Sequence, residues 1–173
     1  FYGGLVRSKN FLSVLIQCGA ITAIVSVLWI VIGYSLAFAP NPSELGLIGG
    51  ISSIMFANLD SVREGQSIGE AVFALFQMTF AIITPALIAG AYAERIKFSS
   101  MLLFSVLWTL LVYVPVAHWV WGGGWLADRG VMDYAGGIVV HLTAGIAALV
   151  AALVLGKRKG FGTTPLLPHN MTM

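Results

Sequence analysis

Four apolar segments, each long enough to cross a lipid bilayer, dominate this 173-residue chain. They fall at approximately 12–38, 68–93, 98–120 and 134–156. A hydrocarbon core of about 30 Å takes roughly 20 helical residues. Inside it each backbone N–H and C=O must be satisfied within the segment itself, which leaves the helix as the open-ended solution. Gly, Ala, Ser and Thr recur in all four segments, and Pro85 and Pro115 interrupt two. Membrane helices accept both, because neighbouring helices re-satisfy the freed backbone groups. The expected fold is an all-α polytopic membrane protein, with residues 1–173 forming a single transmembrane domain.

The charge content supports a lipid environment. Only 9% of residues are charged, against about 25% in soluble domains. A chain of 173 residues exposes too much surface for a soluble core to explain that deficit. The net charge of +2 is too small to attract a nucleic acid. Cys18 is the single cysteine, so neither an intrachain disulfide nor a thiol metal cluster can form. In the first span it reads as a small apolar filler. No cofactor or metal is expected. The opening residues lack the charged, apolar and small-residue regions of a signal peptide. With Phe1-Tyr2-Gly3-Gly4 at one end and Pro168-His169-Asn170-Met171-Thr172-Met173 at the other, the chain reads as a piece of a longer protein.

Charge placement orients the spans. Arg7, Lys9, Arg95, Lys97, Lys157, Arg158 and Lys159 are seven of the nine basic residues, and all fall on one side of a four-span topology. Only Arg63 and Arg129 fall on the other. The side rich in Lys and Arg is expected to be cytoplasmic. Glu44, Asp60, Glu64, Glu70, Asp128 and Asp133 are six of the seven acids and lie on or near the opposite side, leaving Glu94 inside. An acidic outer mouth concentrates cations modestly.

The connections are unequal. Residues 39–67 form a long one, with Pro40, Asn41, Pro42, Gly46, Gly49 and Gly50; residues 121–133 form another, opened by Trp121-Gly122-Gly123-Gly124-Trp125. The turn at 94–97 is tight. Ala144, Ala148 and Ala152 recur every fourth residue in the last segment, a spacing that lets membrane helices approach closely. The last span is therefore expected to be buried among the others.

One group of residues carries chemistry. Phe76 and Phe80 are four apart, on one helix face. Phe80 lies roughly 15 Å below Glu70, and His141 roughly 12 Å below Asp133, at about 1.5 Å per residue. The two rings and the imidazole are expected to share a layer, with Trp121 above them in the outer loop, where an indole face holds a cation. An ionisable histidine within a membrane segment marks a pathway or site by default. Plainer readings stand beside each: helix packing for Phe76 and Phe80, interfacial anchoring for Trp121 and Trp125, an N-cap for Asp133, a neighbour's hydrogen bond for His141. His118 and His169 read as solvated positions near an interface or in a loop.

Longer strings then identify a family. F-Y-G-G-L-V-R-S-K-N at 1–10, G-A-Y-A-E-R-I-K-F-S at 90–99 and A-H-W-V-W-G-G-G-W-L-A at 117–127 resemble the ammonium transporter family, the Amt/Mep/Rh proteins. So do D-Y-A-G-G-I-V-V-H at 133–141 and G-K-R-K-G-F-G at 156–162. The likeness runs over practically the whole chain and is strongest toward bacterial ammonium transporters. It implies a fold of eleven spans, two inverted halves of five spans each, and a homotrimer with one pore per subunit. Against that plan the chain holds the end of span one, spans two to five and the cytoplasmic loop 157–173.

The resemblance also implies roles. Trp121 lines the outer ammonium recruitment site, with Phe76 facing it; Phe76 and Phe80 form the gate below. Asp133 is the buried acid that holds the site together, and His141 is the first of the pore's twin histidines, serving as proton relay. Ammonium is then recruited, deprotonated near the gate and carried as ammonia through a hydrophobic pore of a cell-membrane protein, the proton crossing separately. A PII-type regulatory protein on the cytoplasmic face is a further implied partner. The second histidine, a third aromatic and a serine belong to the family's other half, so these 173 residues alone are expected not to transport. Three other readings compete: an ammonium sensor or Rh-type gas channel, a membrane enzyme or haem protein using His141 with Asp133, and a non-catalytic assembly subunit. The enzyme reading lacks a second inward histidine or a membrane-embedded nucleophile. Asn170-Met171-Thr172 fits a glycosylation sequon but falls on the cytoplasmic side.

Overall fold

Each apolar segment folds as one long helix. In the computed structural model, which describes residues 1–40, 46–63, 65 and 67–172, these are α1 (Ser8–Phe38), α2 (Glu70–Tyr92), α3 (Phe98–Asp128) and α4 (Gly137–Leu155), all long and apolar enough to cross a membrane. No strand occurs among the described residues, although Val62 and Gly69 form an isolated bridge. Asn41, Pro42, Glu44 and Glu64, counted above in the first connection and the acidic mouth, lie outside the described residues.

Helix α3 extends further than its apolar run suggests. Trp121, expected in a loop, is the last residue of the stretch Val114–Trp121, and a single turn, Trp125–Asp128, follows the glycines. Three of the four helices contain a wider π turn, at Trp29–Gly33, Thr109–Tyr113 and Gly137–Leu142. The one in α3 ends two residues before Pro115, whose ring crowds the carbonyl a turn earlier and whose missing N–H removes an α-helical bond.

Helix α2 packs against α1 on one side and α4 on the other, and α1 also packs against α3. Small residues make the close approach possible. Ala74 and Ala81 of α2 are fully buried, and the Trp29 indole of α1 donates to the Ala74 carbonyl at 3.1 Å. The same core holds the large buried side chains Tyr34, Tyr92, Tyr113 and Met101.

The expectation for the last span needs correcting. Ala144 is buried and Ala147 and Ala148 pack against the core, but Leu149, Leu153 and Val154 are 61%, 73% and 79% exposed. The alanine stripe makes one close face, toward α2, while the bulky residues opposite it stay exposed.

At the basic end, Glu94 ties three segments together. Its carboxylate accepts from Arg7 Nη2 at 2.9 Å and Asn10 Nδ2 at 2.6 Å, and Arg158 Nη1 lies 3.8 Å away. Arg95 next to it donates to the carbonyls of Ala91 and Gly156. Burial pushes the Glu94 carboxyl up, but the hydrogen bonds from Arg7 and Asn10 outweigh that and hold it below its ordinary value.

Candidate functional site

At the opposite end the three glycines Gly122, Gly123 and Gly124 interrupt α3 before its last turn. The Gly122 N–H bonds the carbonyls of Ala117 and His118, and a Cβ there would fall 2.0 Å from the Ala37 carbonyl oxygen. Only glycine lets the chain pass so close to the end of α1. His118 anchors the same contact. It is fully buried, with Nδ1 2.8 Å from the Ala37 carbonyl, so the solvated reading of His118 is overturned. A carbonyl can only accept, so Nδ1 carries the hydrogen. His169 is exposed, as expected of a loop residue.

This anchoring fixes Trp121. Its indole Nε1 donates to the Asp133 main-chain carbonyl at 2.7 Å. Its ring meets Phe80 edge-on, centroids 5.8 Å apart, and Phe80 meets Phe76 the same way at 5.0 Å. The three rings form a continuous row along a cavity of about 500 Å³. Phe76 is 53% exposed at its open side. Phe73 and Gln77 extend the α2 wall, and Gly136 and Tyr134 close the cavity from the start of α4.

A cation already sits on one of these walls. The Arg63 guanidinium lies 4.1 Å from the Phe73 ring centroid and pairs with Glu70 at 2.8 Å; Glu70 also accepts from the Tyr34 hydroxyl. The Phe73 ring thus presents its π-face to positive charge.

Asp133 caps α4. Its carboxylate accepts from the N–H groups of Gly137 at 2.7 Å and of Ile138 and Val139 at 2.9 Å. These are orphan donors of the first helical turn. Partial burial pushes the Asp133 carboxyl up, yet the backbone donors outweigh it and hold the carboxyl below its usual range. The carboxylate is engaged by the backbone of the first turn, while the N-cap position itself is held by Gly136 rather than by Asp133.

His141 lies in the π turn that follows. Its backbone N–H bonds the Gly136 carbonyl at 2.8 Å, five residues back, and its ring Nδ1 reaches the same oxygen at 2.9 Å. Nδ1 therefore carries the hydrogen, and in the neutral ring Nε2 is the acceptor. The residue is exposed and is not among the cavity's lining. His141 therefore does not line the cavity that Phe76 and Phe80 line.

Of the expected site residues, the structure brings Trp121, Phe76 and Phe80 into one cavity, joins Asp133 to it through the indole, and sets His141 outside it. Sequence reading missed Arg63, Phe73 and Gln77. The i, i+3, i+4, i+7 spacing of Phe73, Phe76, Gln77 and Phe80 marks them as neighbours along α2. A larger groove of about 560 Å³ beside Phe104, Trp108 and Val150 offers apolar surface and little polar chemistry. No His/Cys/Asp/Glu group able to hold a metal occurs among the described residues.

Comparison with known proteins agrees with this architecture. An ammonium transporter of Bacillus subtilis is 51% identical over 173 residues, covering 99% of this chain and 42% of that protein. Ammonium transporter Amt1 of Archaeoglobus fulgidus is 45% identical over 174 residues, covering 100% of this chain and 42% of that protein. The crystal structure of Saccharomyces cerevisiae Mep2 superposes with a TM-score of 0.80 at 37% identity, over 99% of this chain and 40% of Mep2. The chain thus spans about two fifths of the length of these relatives. The model of the Ammonium Transporter Family, a family of transporters rather than enzymes, matches residues 1–173, and this multi-pass membrane chain belongs to that family.

Proposed function

We propose that the protein containing this chain moves ammonium nitrogen across a cell membrane. Its outer site is the cavity beside Trp121, Phe80 and Phe76. The observation that carries this reading is the row of three rings next to Phe73, whose face already bears the Arg63 guanidinium. Faces of this kind hold a small cation by attraction to the ring quadrupole.

A charge at the bilayer centre costs at least about 2.5 kcal/mol, which favours passage as the neutral molecule. Ammonium resting on Trp121 and Phe76 hands one proton to a water molecule beside it, leaving ammonia to pass the Phe76–Phe80 gate. The proton travels separately, and His141 is suited to take part because Nε2 has a free lone pair in the neutral ring. Asp133 holds the site together through its cap and its carbonyl bond to Trp121, without taking the proton itself. Potassium has no proton to release and is refused by the chemistry.

The pore needs groups beyond these residues. His141 and Phe76 are open to their surroundings here, as expected of one face of a pore whose other face lies in the remaining length of the relatives. The 173 residues alone are expected not to transport. The complete protein is expected to act as a homotrimer and to present the basic end to the cytoplasm, where a PII-type regulator would meet it. The test is complementation: the full-length protein should restore growth on limiting ammonium to a host lacking its own uptake system. No growth despite protein in the membrane would count against transport and favour a sensor.

A further inference from the structure

One wall residue of the cavity has no structural reason to be polar. Gln77 lies on α2 between Phe76 and Met78, and only 7% of it is exposed. Its amide oxygen is enclosed and has no hydrogen-bond partner among the described residues. Its helix neighbours Ala74 and Ala81 are fully buried and apolar. Buried acceptors are nearly always satisfied, and leaving one without a donor is costly. A methionine would occupy the same volume without that penalty.

The missing donor is not supplied by the walls. Arg63, the charged residue of the lining, is engaged by Glu70 and stacked on Phe73, and the Tyr134 hydroxyl donates to the Met132 sulfur. The Trp121 N–H is used by the Asp133 carbonyl. The phenyl rings of Phe73, Phe76 and Phe80 have no hydrogen-bonding group. What remains is an occupant of the cavity that Gln77 lines. A glutamine amide rotates about a loose, roughly two-fold terminal torsion, and no hydrogen bond from its oxygen to the described residues locks it here. It can therefore turn its oxygen toward a donor in the cavity.

We infer that Gln77 is the hydrogen-bond acceptor of the outer cavity, taking an N–H from a cation that rests on Trp121 and Phe76. The aromatic faces respond to charge alone, whereas the amide oxygen reads the direction of an N–H donor. This rests on the reading of the cavity as an ammonium site. With the acceptor in place, the bound cation is held by one directed contact as well as by the rings. It sits beside the Phe76–Phe80 gate in a fixed orientation, with an N–H committed to α2.

The experiment measures ammonium-evoked current from liposomes containing the full-length protein, with ammonium concentration varied. Gln77→Met keeps the volume and removes the acceptor; it should raise the half-saturating concentration about tenfold while maximal current is largely kept. Gln77→Glu keeps an acceptor and adds charge; its half-saturating concentration should stay at or below that of the unaltered protein. Equal half-saturation in Gln77→Met and the unaltered protein would overturn the inference while leaving transport intact. A parallel rise in Gln77→Glu and Gln77→Met would also overturn it, since the position would then only support packing. No current from the folded unaltered protein would overturn the transport reading, and the inference with it.

Discussion

Trp121 and Asp133 are joined by a 2.7 Å hydrogen bond from the indole to a main-chain carbonyl, across twelve residues of chain. Because the Asp133 carboxylate also takes three N–H groups of α4, the aromatic wall and the start of that helix form one unit. Disturbing either should be felt at both.

Trp121→Phe keeps an aromatic face and loses the indole N–H, whereas Trp121→Leu loses both. Cation–π contacts contribute about 0.5–2 kcal/mol. Half-saturating ammonium should rise about tenfold in Trp121→Leu and less in Trp121→Phe, as measured by the concentration dependence of transport in the full-length protein.

Asp133→Ala removes the cap and should destabilise the full-length protein by about 2 kcal/mol, seen as earlier thermal unfolding in detergent. Asp133→Asn retains one acceptor and should cost less. The pH dependence has a definite sign. The folded carboxyl is held below its unfolded value, which is about 3.9. Its stabilisation is therefore complete above about pH 4 and is lost as pH falls through the lower folded value. Glu94 shifts in the same direction and adds to the loss. Melting curves taken from neutral pH downward should fall less steeply in Asp133→Asn than in the unaltered protein. Identical slopes would remove Asp133 from the account.

Gly136 stands at φ +79°, and a Cβ there would lie 2.9 Å from a Val140 methyl. Gly136→Ala should cost about 1–2 kcal/mol in backbone strain alone. It should also disturb transport, because the same carbonyl receives both the backbone and ring N–H of His141. A variant with unchanged melting and transport would show that the π turn tolerates other geometries.

At the basic end, Glu94→Ala leaves Arg7 and Arg158 without their shared carboxylate. The carboxylate side is 2% exposed and the Arg7 side 24%, so Arg7 rehydrates partly on loss of its partner. A cost of about 2 kcal/mol is expected, between surface and buried ion pairs. The Arg7→Ala, Glu94→Ala double variant should lose less than the sum of the singles in a double-mutant cycle.

The helices were legible because uninterrupted apolar runs near 20 residues admit little else. Phe76 and Phe80 were legible from their spacing, and Asp133 from its position ahead of a helix. His118 was misread because its burial depends on the end of α1, 81 residues away. Arg63 reads in the sequence as an outer-face charge; its place over Phe73 goes with the backbone bonds from the Arg63 N–H to the Ile68 carbonyl and from the Glu70 N–H to the Ser61 carbonyl, which no sequence pattern marks. The π turns left no periodic signal, since one added residue barely alters an apolar run, yet the turn at Gly137–Leu142 decides where His141 points. The alanine stripe of α4 revealed a close face but not that the other face would stay open.

The most direct test is ammonium-evoked current on a solid-supported membrane. It compares liposomes holding this 173-residue chain with liposomes holding the full-length protein and its Trp121→Leu and His141→Ala variants. The account predicts current only from the full-length protein, reduced in Trp121→Leu and altered in ion selectivity in His141→Ala. Full current in both variants would contradict the site, and current from the 173 residues alone would contradict a pore built from more than these helices.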